Sequence, residues 1–245
     1  MNDAEKLKEF VLENINRLSH SGGSGAAPKL PSFDLYGQDY LGFAEKELLF
    51  LDDGESKETN TRHRINCISH LKRALDCQID TFLHVFNLSK VFRSKNLGID
   101  AKLKFLQASG IYSSRSISRL TNIRNRMEHD FELPDIQDIE IFFDLVASLV
   151  AILQRALALT FESVLEMYVD VDNERMVNFC MEYSLSEPQI CVELEYQEES
   201  CSLIADLSDP SIFAYFFKVH FLLTQLESFA STSYLLPFLE EIVPI

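Results

Sequence analysis

The residues best suited to chemistry in this 245-residue chain are an arginine, an amide and an imidazole close together, Arg124-Asn125-x-x-x-His129. Histidine exchanges protons near neutrality, its ordinary pKa being about 6.5. Arginine presents a rigid planar fork of donors that matches the non-bridging oxygens of a phosphoryl group. Together they suit cleavage of RNA by its own 2′-hydroxyl, which needs proton transfer at the attacking and leaving oxygens and positive charge for the pentacoordinate phosphorus. Asn125 lies four residues before His129, on the same side of a helix, so its amide is placed to orient the ring or the phosphate. Arg124 is five residues away and off that stripe. Its length, a distorted helix end or a second protomer has to bring the two together.

The stretch that must position these groups runs from Arg115 to Phe131. Ile117, Leu120, Ile123 and Met127 recur at three- and four-residue steps, the spacing of a helix with one buried stripe. Pro134 follows, so the helix is expected to end near Asp130, with the polar side chains at its terminus. The arrangement resembles the HEPN superfamily (higher eukaryotes and prokaryotes nucleotide-binding), whose all-helical domains commonly carry Arg, a polar residue and then His after a short gap. The resemblance implies metal-independent endoribonuclease chemistry of a toxin or defence type, often in a composite site built by two protomers. It assigns Arg124, Asn125 and His129 as catalytic, with Arg119, Arg126 and Glu128 as supporting side chains and no cofactor or metal. The competing reading makes Arg124 and Glu128 a plain i, i+4 ion pair, with His129 capping the helix end. The chain is then a non-catalytic helical RNA-binding or protein-interaction module that retains the fold.

Charge bears on both readings. The net charge of −16 argues against a nucleic-acid partner until its distribution is considered. Residues 57–126 hold 14 Lys/Arg against four acids, a balance of +10, and the remainder holds 8 against 34, or −26. A basic middle that closes on the Arg-Asn-x-x-x-His stretch fits an anionic ligand there. It also fits simple pairing with the acidic flanks of the same chain.

A second polar set falls on the expected helix Thr61–Phe92, where His63, Cys67, His70, Cys77 and His84 share one side. Imidazole and thiolate at i, i+4 and i+7 could begin a zinc site, but one helix side seldom closes four ligands. Lining of the cleft near His129, or of a partner helix, is the better account. The apolar side of the same helix is Ile65, Ile68, Leu71, Leu75, Ile79, Phe82 and Phe86. The Gly-rich piece Ser19–Lys29 lacks the GxxxxGK[ST] spacing of a phosphate loop and reads as a flexible connector.

Further helices are expected over Ala4–Leu18, Tyr40–Leu51, Ile99–Ala108, Asp135–Tyr168 and Pro210–Phe229. Near Asp170 the period changes from 3.6 to two, and Met176–Leu185, Gln189–Tyr196 and Ser202–Leu207 read as three antiparallel strands. The expected fold is therefore mainly α: a HEPN-like antiparallel helical bundle over 1–170, then a small α+β domain of unknown role over 171–245. Five cysteines without a CxxC, and an N-terminus that reads as a charged amphipathic helix rather than a leader, point to a cytoplasmic protein. The apolar run Ile139–Val169 carries Asp144, Arg155 and Glu162 and reads as a core helix rather than a membrane span. RNA, a second copy of the chain and an inhibitory protein are the expected partners.

Overall fold

The computed structural model describes residues 2–51, 56–94, 97–112, 126, 136–172, 175–196, 199–226 and 230–245. The chain is mainly helical with one small antiparallel sheet, and its contacts divide it into two compact units. One comprises Met1–Lys29, Val85–Ser113 and Ala156–Ile245; the other comprises Leu30–His84 and Ser114–Arg155.

The first unit is built on the sheet. Its strands are β1 (Leu18–Ser24), β2 (Val164–Asp172), β3 (Arg175–Ser184), β4 (Gln189–Tyr196) and β5 (Glu199–Asp206). They lie in the order β1-β2-β3-β4-β5, every neighbour antiparallel. Alternation decides the faces. Leu165, Met167, Val169, Phe179, Met181, Tyr183, Ile190, Val192, Leu203 and Ala205 are buried on one side. Glu166, Cys180, Glu182, Glu193 and Glu195, between those positions, fall on the other.

The buried side is covered by α1 (Asp3–Asn14) and a helix over Pro210–Leu223. The first turn of α1 is fixed by a reciprocal cap: Asn2 accepts from the Glu5 amide and the Glu5 carboxylate accepts from the Asn2 amide, both at 2.9 Å. Ala4, Leu7, Val11 and Ile15 then face inward, an i, i+3, i+4 stripe with almost no exposure. The Pro210–Leu223 helix begins with Asp209 accepting from the Ser211 and Ile212 amides and carries Pro at its first position. It is buried almost all round, and Phe213 and Phe217 meet Phe86, Phe105 and Tyr183 in a connected aromatic core.

The sheet corrects the sequence reading, which expected three strands after residue 175. Five are present. In β2, Leu165, Met167 and Val169 alternate with Glu166, Tyr168 and Asp170, a two-residue period hidden by its direct continuation from an apolar helical run. The first strand has no apolar alternation, and the sequence reading ended a helix at Leu18 and took Ser19 onward as connector. It is held by ladder pairing to β2, with a bulge between His20 and Gly22. The glycine just after it is needed for close approach. A Cβ on Gly25 would lie 2.2 Å from the Thr160 carbonyl oxygen, and the Ala26 amide donates to that same oxygen at 2.8 Å.

The described secondary-structure elements of the second unit are all helices. It contains α2 (Gly37–Leu51), α3 (Lys57–Val85, whose last residue belongs to the first unit) and a helix over Ile136–Ala156. Ile139, Phe142, Val146, Leu149, Val150 and Leu153 form the buried side of the last, while Asp144 and Gln154 are exposed. Ile139–Glu162 is long and apolar enough to cross a membrane by length and composition, but it is two-sided in this way. The long helix expected over Thr61–Phe92 stops at Val85. Asn87 adopts φ +55°, a conformation in which Asn is several-fold enriched, and its amide donates to the Ser186 carbonyl at 2.7 Å. A short helix, α4 (Ser89–Ser94), and α5 of the first unit (Ile99–Ala108) follow, and Gly110 at φ +69° closes the latter as its sequence implies.

Candidate functional site

Of the residues singled out for phosphoryl chemistry, Arg119, Arg124, Asn125, Glu128 and His129 lie outside the described residues. Arg126 is described, and it is helical and exposed. It falls between Arg124 and His129 in a segment assigned to the helical unit.

The polar side chains of α3 are described in full, and they do not act as one stripe. His63 is buried, with Nδ1 2.6 Å from Glu47 Oε2 on α2. Asn66, one turn later, donates to the other carboxylate oxygen of Glu47 at 3.3 Å. Phe50 packs on the His63 ring at 5.3 Å between centroids, and Phe43 meets His70 edge-on at 5.5 Å. These partners recur every three or four residues on both helices, Phe43, Glu47 and Phe50 against His70, Asn66 and His63, so α2 and α3 run antiparallel along a polar and aromatic seam. Tyr40 extends the seam, its ring 6.2 Å from Phe43. His70 Nδ1 is enclosed and has no hydrogen-bond partner.

The remaining members of the set go elsewhere. His84 is exposed, and Cys77 is half-buried with its thiol 3.5 Å from the Leu35 carbonyl oxygen. Ile65, expected in the core, is half exposed and stands on the solvent side of α3. Among the described residues no three His, Cys, Asp or Glu side chains converge as a metal would require. No thiol on α3 is activated either. Burial, and then the Glu47 carboxylate, push the Cys67 thiol up to about 12, and burial raises Cys77. Neither thiol is primed as a nucleophile.

Beyond the Tyr40 end of the seam lies a hollow of about 560 Å³ lined by Phe33, Leu35, Tyr40, Arg73 and Cys77 together with Asp34, Asp76 and Asp80. Three carboxylates against one guanidinium make it a poor seat for phosphate. The two helices of the seam balance in charge: α2 carries Asp39, Glu45 and Glu47 against Lys46, and α3 carries Lys57, Arg62, Arg64, Lys72 and Arg73 against Glu58, Asp76 and Asp80. The feature that sequence reading missed is α2: Tyr40, Phe43 and Phe50 were read simply as part of a short helix. The available signal was the i, i+3 and i+10 spacing of the three rings, with Glu47 between the last two.

Comparisons with protein-family models, with curated proteins and with solved structures give no match to this chain. The functional reading therefore rests on its own residues.

Proposed function

We propose that the chain is a metal-independent endoribonuclease of HEPN type, acting as a cytoplasmic homodimer in a toxin or defence setting, its activity held in check by a protein partner. The observation that carries this reading is Arg124-Asn125-x-x-x-His129 closing a 70-residue segment of net +10. It is supported by the unit that contains the motif, whose described secondary-structure elements are all helices. In the proposed reaction the RNA 2′-hydroxyl attacks its own phosphorus and the 5′-oxygen leaves. His129 transfers a proton at one of those oxygens, Arg124 neutralises the charge that builds on the phosphoryl oxygens, and Asn125 orients ring or phosphate. One Arg and one His per chain are sparse for this work, which favours a site completed by a second protomer.

The deciding experiment is RNA cleavage in EDTA by wild type, His129→Ala and Arg124→Ala. The expected product is a 2′,3′-cyclic phosphate. His129→Ala is expected to lose about 10²–10⁴-fold in rate and Arg124→Ala about 10²–10³-fold, with unchanged far-UV CD. Cleavage at the wild-type rate by both variants, or none by wild type across varied RNAs, would transfer the assignment to a helical RNA-binding or protein-interaction module. The i, i+4 spacing of Arg124 and Glu128 favours that second reading.

A further inference from the structure

We draw no further inference here: the strongest candidate, the acidic hollow of the helical unit bounded by Phe33, Tyr40, Asp34, Asp76 and Asp80, is a cluster of carboxylates at which no second feature of the structure points to a ligand.

Discussion

His220 offers a test of the fold's electrostatics whose size follows from the structure. The ring is fully enclosed in the Pro210–Leu223 helix, and its Nε2 is 2.7 Å from the Glu162 carbonyl oxygen. Burial drives its pKa from the ordinary 6.5 down to about 4, and the bond to Glu162 opposes this only in part. An unfolded chain takes up the proton near 6.5, whereas the folded chain refuses it until about 4. Between those values the unfolded state holds more protons, so stability is complete above pH 6.5 and falls as pH drops, by about 1.4 kcal/mol per unit. By pH 4 the accumulated loss is about 3 kcal/mol, a large part of the roughly 5–15 kcal/mol of a typical domain. Carboxylates titrate over the same range, so the measurement is a difference. Urea unfolding of wild type and His220→Gln is followed by near-UV tyrosine CD, the chain having no tryptophan. At pH 7 the Gln variant is expected to be less stable, and toward pH 4 the gap should close by about 3 kcal/mol and change sign. Parallel stability curves for the two proteins would refute the argument.

Two further substitutions probe the sheet unit. Gly25→Ala forces a Cβ to within 2.2 Å of the Thr160 carbonyl oxygen, a backbone atom that cannot swing aside. It is expected to destabilise by about 1–3 kcal/mol, read as a lower urea midpoint. Tyr183→Phe removes a buried hydroxyl that donates to the Phe86 carbonyl oxygen at 2.6 Å. Leaving that acceptor without this donor should cost about 1–3 kcal/mol. If the proposed RNA cleavage is present, the same substitution should leave it unchanged, since Tyr183 lies in the unit that lacks the motif.

The fold was legible where one physical signal dominated. The helix over Ile99–Ala108 carries its apolar spacing and its Gly110 stop in the sequence, and the structure reproduces both. Strand β1 was illegible because nothing in Ser-His-Ser-Gly-Gly-Ser favours a strand locally; its ladder comes from β2, some 140 residues away in the chain. Strand β2 was masked by its neighbour, for a two-residue alternation that begins directly after an apolar helix reads as that helix continuing. Ile65 shows the limit of stripe counting on α3. It stands at one margin of the apolar arc, and the side facing α2 is set by Glu47 and the rings of Phe43 and Phe50, which a one-helix pattern cannot report.

The same limit explains why the seam escaped notice while its histidines did not. Read on α3 alone, His63, Cys67, His70, Cys77 and His84 look like one chemical stripe, because they share a helical side. Packing against α2 divides them. His63 and His70 gain ring partners, Cys67 is enclosed with its proton held on, and His84 is left in water. What separates these residues is the spacing of side chains on the other helix, where Phe43, Glu47 and Phe50 present ring, carboxylate and ring in register with His70, Asn66 and His63. A carboxylate at the middle position satisfies two α3 side chains and leaves the rings at either end free on their outer edges. That division of labour is why the seam is polar in its buried centre and aromatic at its rim.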